Sequence, residues 1–461
     1  MTPRALAVTR KSMPSPPSRP RRWTVRRVRA LLRHRGPTSL LFRRRVAVVA
    51  GAVLVGVVAV LFAKAADEAG AIFERTVRAH PYLPLVLTPL GFTALVWLTR
   101  RVAPAARGSG IPQVIAARER RDLGQTALIS IRTVSAKAVL TLAAILTGAS
   151  VGREGPTVQL AAATMAAIHR WLRVPMRASV VIAGGAAGVA AAFNTPLAGV
   201  LFAIEELAAA YEQRVTLLVL SLIVIAGMVA QSLSGDYVYF GVVGASMPLD
   251  TALVVAPVAG LAGGAAGGLF SRLMLALSVG DHRVTRLAKA RPLAFAFVCG
   301  SVVAGLGVAT QLTWGTGYAA AHAMILGVDA PPWFGPAKFV AALATAVAGL
   351  PGGIFAPSLA VGAGVGNLLR FLFADAPASA VVILGMVAYF AGVVRAPLTA
   401  VIILSETTAS RGLMLPMFAA AFLADWASTQ VCRDKLYHGL SKAFAEPTSP
   451  VTPAKAGVQK H

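Results

Sequence analysis

The residues best placed to do chemistry are three short stretches that couple glycine to proline. They are Gly108-Ser109-Gly110-Ile111-Pro112, Gly152-Arg153-Glu154-Gly155-Pro156 and Gly353-Ile354-Phe355-Ala356-Pro357. Proline is favoured in the first turn of a helix, and each stretch runs into apolar sequence, so each marks a helix start. The first N–H groups of a helix lack intrahelical partners, and with the helix dipole they favour an anion. Three such starts, if they met, could replace the hydration shell of a small anion using partial charges alone. A fixed Lys or Arg would hold the ion more tightly and slow its release, so partial charge suits transport. Glu154 adds a carboxylate, itself an anion, which could compete for the same position. Desolvation and nearby N–H dipoles pull the proton affinity of such a group in opposite directions. A carboxylate balanced between them can exchange protons as it competes. Taken singly, each stretch is weak, because glycine-rich breaks in membrane helices usually serve close packing.

The elements that must position these stretches are membrane helices. Of the 461 residues, 56% are hydrophobic and 13% charged, about half the charged share of a soluble domain. The mean hydropathy is +0.70. A bilayer-spanning helix needs roughly 20 apolar residues, and 46–63, 83–98, 215–233, 251–277, 293–311, 335–350, 380–394 and 413–430 are the candidates. The stretches 108–117, 154–168, 196–210 and 354–372 are short or interrupted by Gly or Pro and read as half-helices or oblique helices.

The net charge is +26, and 14 of the positive charges fall in residues 1–45, ahead of the first acid, Asp67. Because this segment runs directly into an apolar span at Val46, it reads as a disordered cytoplasmic tail obeying the positive-inside rule rather than as a nucleic-acid arm. Contact with anionic lipid would add little. Its basic part is too long for a cleaved signal peptide, and no small-residue cleavage site clearly ends the apolar run. Arg100, Arg101, Arg107, Arg118, Arg120 and Arg121 mark one connection as cytoplasmic, and Arg283, Arg286, Lys289 and Arg291 mark another. The connections near Asp67, Glu68 and Glu74, near Asp236 and near Asp329 should face outward. The expected organisation is a tail over 1–44, a transmembrane domain over 45–446 with halves at roughly 45–235 and 250–446, and an unstructured tail over 447–461.

An internal duplication supports those halves. Ala136-Lys137 matches Ala337-Lys338, Gly152 with Pro156 matches Gly353 with Pro357, Asn194-Thr195-Pro196-Leu197 matches Arg395-Ala396-Pro397-Leu398, and Glu205 matches Glu406. Each pair is 201 residues apart. Transporters built from two repeats place their substrate site near mid-membrane, on discontinuous helices at the repeat interface. The pattern alone leaves open whether the halves run parallel or inverted.

Together and in this order, the motifs resemble the chloride channel and transporter (CLC) family, of the bacterial type without cytoplasmic regulatory domains. The similarity runs from about Val46 to Phe444 and rests on GSGIP at 108–112, GREGPTVQ at 152–159, FNTPLAG at 193–199 followed by Glu205-Glu206, GGIFAP at 352–357 and RAPLT at 395–399. The resemblance implies an all-α polytopic membrane protein with two inverted repeats. It implies a homodimer with one pore per subunit that moves chloride and similar monovalent anions in exchange for protons. Ser109 is then the central anion ligand through its hydroxyl, flanked by Gly108 and Gly110. Tyr437 reaches the same anion, and the N–H groups of Ile354 and Phe355 complete the set. Glu154 is the external gating glutamate, Glu206 the inner proton-transfer glutamate and Glu205 its neighbour. An acid at position 206 favours exchange over a passive voltage- or pH-gated chloride channel, in which that position is usually non-acidic. Ser109 and Tyr437 argue against a fluoride-selective relative, and Ser109 against nitrate preference, which usually goes with proline there.

Other features read as structural. Glu406 is expected to make helix-end hydrogen bonds and Arg153 to fix backbone carbonyls. Lys137 and Lys338 are buried structural cations or contributors to a positive field. Asp425 receives no role. Gly362-Ala363-Gly364-Val365-Gly366 is not preceded by a strand, so close helix packing explains it better than a nucleotide loop; Gly184-Gly185 and the glycines of 263–268 read the same way. Cys299 and Cys432 lack metal spacing, no nucleophile–base pair suggests an enzyme, and no cofactor is expected beyond chloride as bound substrate. The reading from another class, a basic-tailed membrane scaffold or nucleic-acid tether, rests on the tail alone.

Overall fold

The computed structural model describes residues 37–119, 126–207, 217–235 and 238–445. The basic tail up to residue 36, Arg120, Arg121, Asp236 and the segment from 446 onward lie outside the described residues. Among the described residues the chain forms α-helices, short turns of other helix types and two isolated β-bridges.

The helices of the first half are α1 (Pro37–Ala79), α2 (Pro84–Val102), α3 (Ile111–Glu119), α4 (Ile131–Leu146), α5 (Glu154–Trp171), α6 (Ala178–Phe193), α7 (Pro196–Phe202) and α8 (Leu217–Ser234). Those of the second are α9 (Leu249–Ser278), α10 (Arg283–Ala290), α11 (Pro292–Thr310), α12 (Tyr318–Ile325), α13 (Phe334–Val347), α14 (Phe355–Arg370), α15 (Ala378–Val394), α16 (Pro397–Thr408), α17 (Met414–Val431) and α18 (Leu436–Ser441). Among the described residues, five segments are long and apolar enough to cross a bilayer: α1, α2, α9, α11 and Arg411–Val431. The expected spans at 335–350 and 380–394 become helices of 14 and 17 residues. The first is cut at Gly349, where φ is +85°, and the second at Arg395, where φ is +59°. Each is completed by its neighbours rather than spanning alone.

Burial explains the layering. Every residue of α15 from Ala380 to Val394 is buried, and α6 is nearly as enclosed. Helices apolar all round belong at a core. The outer helices instead expose Leu41, Val49, Leu61, Val86, Trp97, Leu253 and Val298, the large apolar surface that lipid covers. Close packing sits where the sequence places its glycine runs. A Cβ at Gly263 or Gly267 of α9 would strike the backbone of α15, and one at Gly362 or Gly366 of α14 would strike α15 around Met386 and Val382.

The duplication is visible in the backbone. Asn194 and Arg395 both end their helices in the left-handed region, with φ of 59° in each. Thr195 and Ala396 follow in near-identical extended conformations, φ −129° and −132°, as expected for residues preceding proline. Pro196 and Pro397 then start α7 and α16. Arg395 is not a residue that favours the left-handed region; its guanidinium is tied to Asp425 at 3.1 Å and to the Arg433 carbonyl at 3.0 Å, which gives Asp425 a role.

The halves are inverted. Gly152 and Gly353, equivalent positions, form an antiparallel bridge, so α5 and α14 start side by side. From there α5 runs to the face where the Leu172 carbonyl accepts from Arg43 at the basic start of α1. Helix α14 ends at Arg370, which pairs with Asp329 at 2.9 Å in a connection expected to face the other way. Two helices that begin together and end on opposite faces require an axis in the membrane plane.

Candidate functional site

The three glycine–proline stretches meet. The Gly108 N–H donates to the Leu350 carbonyl at 3.1 Å, and the Gly352 N–H donates to the Gly108 carbonyl at 3.2 Å. Gly152 and Gly353 exchange N–H···O bonds of 2.8 and 2.7 Å. Close approach demands glycine here: a Cβ on Gly155 would overlap Ser109 and the Gly353 backbone, and one on Gly110 would overlap the Gly155 carbonyl. The φ values of Gly108 and Gly110, +69° and +116°, are ones that L side chains rarely adopt. The starts of α3, α5 and α14 therefore share one interior point, with Ser109 only 8% exposed, Glu154 1% and Phe355 0%.

The side chains assigned from the sequence gather around this point. Tyr437, on α18, is fully buried with its ring 5.9 Å from that of Phe355. Its hydroxyl faces the Ser109 side chain, and the charges of Glu206 and Glu154 both act on it. Ser109 Oγ, Tyr437 Oη and Glu154 Oε2 are buried without a geometric hydrogen-bond partner among the described residues. Polar atoms left this way inside a protein need a partner. Two hydroxyl donors facing helix N-termini are a donor set that fits an anion. The Glu154 carboxylate lies near its own N–H and that of Ala356, so it sits at the start of α14 as well as its own helix. That is the position an anion would take.

Lys137 and Lys338 hold the loops in shape. Lys137 Nζ donates to the carbonyls of Ala106 and Gly108 at 3.0 and 2.8 Å, and Lys338 Nζ to those of Thr313 and Gly315 at 2.9 and 2.7 Å. This exposes a repeat landmark absent from the sequence comparison: Gly315-Thr316-Gly317 is the partner of Gly108-Ser109-Gly110. Its φ values of +54° and +79° repeat the positive-φ pattern, and α12 starts after it as α3 does after the first. The offset here is 207 rather than 201 because 27 residues separate Gly110 from Lys137 but 21 separate Gly317 from Lys338. Arg153 donates to the Ala63 carbonyl at 2.6 Å and pairs with Asp67 at 2.5 Å, which fixes the start of α5 against α1.

Glu205 and Glu206 sit in a single π-helical turn, Ala203–Leu207, that continues α7; such turns concentrate at functional positions. Glu205 turns back to the other half. Its carboxylate accepts from the N–H groups of Leu398 and Thr399 at 3.0 and 2.7 Å and from the Thr399 hydroxyl at 2.6 Å. Glu406 returns the contact, accepting from the Ala198 N–H at 3.1 Å. Each half thus caps a helix of the other. Removing one such cap should be measurable: Glu205→Ala is expected to cost about 2 kcal/mol and Glu406→Ala about 1, since hydrogen bonds to charged groups contribute more and Glu205 makes the larger set. Thermal unfolding in detergent would rank them, and equal melting temperatures for Glu205→Ala and the unmodified protein would refute the cap. Glu206 instead points inward and is fully buried. Its Oε1 lies 3.3 Å from His438 Nδ1 and its Oε2 4.0 Å from Lys435 Nζ. No motif in the sequence pointed to a role for His438 or Lys435.

A family model described as voltage gated chloride channel matches residues 90–429. The chain belongs to that family. A curated ClcB-like protein from Ralstonia nicotianae, named for a chloride channel, is 29% identical over 371 residues, 75% of this chain and 82% of its own length. Among solved structures, a slow cyanobacterial Cl⁻/H⁺ antiporter aligns with a TM-score of 0.75 at 24% identity, covering 87% of this chain and 98% of its own. A CLC-type fluoride/proton antiporter gives 0.73 at 22%, covering 87% and 98%. A eukaryotic CLC transporter gives 0.69 at 23%, covering 87% of this chain and 74% of its own. These likenesses establish the same polytopic membrane fold.

Proposed function

We propose that the protein exchanges chloride, or a similar monovalent anion, for protons across a membrane. The observation that carries this reading is the Glu154 carboxylate buried beside the N–H groups that begin α5 and α14, near the hydroxyls of Ser109 and Tyr437. While ionised, Glu154 fills the anion position. Once protonated it loses its charge and its claim on those donors, and an anion takes its place, so proton uptake and anion entry become one event. Glu206, approached from the face that carries Lys435 and His438, serves as the second proton station. Ser109, Tyr437 and the N–H groups of Ile354 and Phe355 hold the anion, with Gly108 and Gly110 shaping the loop. Glu205 keeps Glu206's turn in place.

The basic connections around Arg100, Arg101 and Arg107 support a cytoplasmic position for that face, in keeping with a bacterial inner membrane and with both termini on the same side. Family membership supports a homodimer with one pathway per subunit. The test is paired flux from purified protein in liposomes. A chloride gradient should drive protons in the opposite direction, and Glu206→Gln should lose proton movement while still passing chloride. Chloride flux without proton movement in the unmodified protein would replace exchange with passive conduction.

A further inference from the structure

Glu206 is 0% exposed, yet a proton station must trade protons with water. The π turn that carries it offers no path, since Glu205 is committed to α16 and the Leu207 carbonyl is taken by Arg118. Partly exposed groups approach it from α18 and the residue before that helix. The His438 side chain is 36% exposed, and its Nδ1 lies 3.3 Å from Glu206 Oε1, close enough for a small ring rotation to bring the two into hydrogen-bond geometry. It stands among charged groups that mark an aqueous rather than a lipid surface: Lys435, 37% exposed, and the Lys442–Asp434 pair, 68% and 69% exposed.

We propose that His438 is the proton relay between Glu206 and the water on the basic face. This rests on the exchange reading above. Imidazole is the side chain whose proton affinity suits a shuttle near neutral pH. A hydronium or buffer acid delivers a proton to Nε2, forming the imidazolium. Nδ1–H then passes its proton to Glu206 Oε1, leaving a neutral carboxyl and a neutral ring protonated at Nε2. Rotation of the ring, or a second exchange with water, restores the starting tautomer. The reverse sequence releases a proton. Lys435, 4.0 Å from Oε2 and bonded to the Glu205 carbonyl at 3.5 Å, stabilises the ionised carboxylate between transfers. Tyr437, with its ring 5.9 Å from that of Phe355, lies on the side toward the anion position. Arg118 pairs with Glu119, and Arg107 reaches the Ala443 carbonyl.

The test uses proton uptake driven by an outward chloride gradient in liposomes, with a potassium ionophore clamping the voltage and chloride flux recorded alongside. His438→Ala should slow proton uptake about tenfold or more, the low end of what a missing acid–base group costs, while chloride still passes as it does through Glu206→Gln. Imidazole added equally on both sides should restore most of the chloride-driven proton uptake, whereas Glu206→Gln should ignore imidazole. A purely structural role would not be rescued by a diffusible base. His438→Gln, which keeps a polar side chain but cannot carry a proton, should be as slow as the Ala variant, and it decides the matter if the Ala variant does not fold. Proton uptake at the unmodified rate through His438→Gln, or a slow His438→Ala that imidazole leaves unchanged, overturns the relay. Loss of proton coupling in the unmodified protein would overturn the exchange reading instead.

Discussion

Glu154→Gln should turn the exchanger into a pathway for anions alone. The glutamine amide is close in size to the carboxyl group and can still reach the start of α14, but it carries no charge and takes up no proton. It is therefore a weak competitor for the N–H groups of Glu154 and Ala356, which lie near the carboxylate. The expected result is proton flux lowered by about a hundredfold or more, as when an essential proton-transfer group is removed. Chloride flux should persist and lose its dependence on pH. Chloride affinity should not fall, because an occupant that excluded the anion has lost its charge. Arg153, only 7% exposed, pairs with Asp67 at 2.5 Å and bonds to the Ala63 carbonyl, so the start of α5 has its own anchor and should survive the change. Paired electrode recordings of chloride and protons from liposomes check all three statements. Proton flux at the unmodified rate through Glu154→Gln would mean that protons take a route that avoids this residue.

The sequence made some of this arrangement legible because the chemistry is local. A helix start signals itself through Gly and Pro, and a carboxylate in apolar sequence signals itself through its cost. So Glu154 and the stretches around residues 108, 152 and 353 stand out by residue type and spacing alone, whereas Glu206 was assigned through the family resemblance. The 201-residue offset found the halves, and their inverted sense followed once the Gly152–Gly353 bridge set the starts of α5 and α14 side by side while their ends lay on opposite faces. Other parts were hidden for physical reasons. Gly315-Thr316-Gly317 escaped because an insertion of six residues in the first half broke the register of the comparison. The different fates of Glu205 and Glu206 follow from a π turn, and one added residue per turn decides which acid faces α16 and which faces the interior. His438 and Lys435 reach Glu206 from more than 200 residues away, and their own neighbourhood in sequence gives no hint of it.

The convergence of helix starts is the feature on which everything else depends, and Gly155→Ala probes it with one methyl group. In an ordinary helix this substitution stabilises, by roughly 0.5–1 kcal/mol, because alanine loses less backbone entropy. Gly305 of α11 should behave in that way, since nothing lies within 4 Å of a Cβ placed there. At Gly155 the sign should reverse. The added carbon would overlap Ser109 Oγ and the Ser109 carbonyl and press on the Gly353 Cα, and two of those three are backbone that cannot swing aside. Relief requires the start of α5 to move away from the starts of α3 and α14. Overpacking of this kind costs about 1–3 kcal/mol. It would also weaken the site, because the donors would no longer point at one position. A loss of chloride affinity of about tenfold corresponds to about 1.4 kcal/mol, within the range the displacement can supply. Thermal unfolding and calorimetric titration with chloride, run on Gly155→Ala beside Gly305→Ala, separate the two effects. If Gly155→Ala melts and binds as the unmodified protein does, the three helix starts are not in the contact from which the anion position derives its donors.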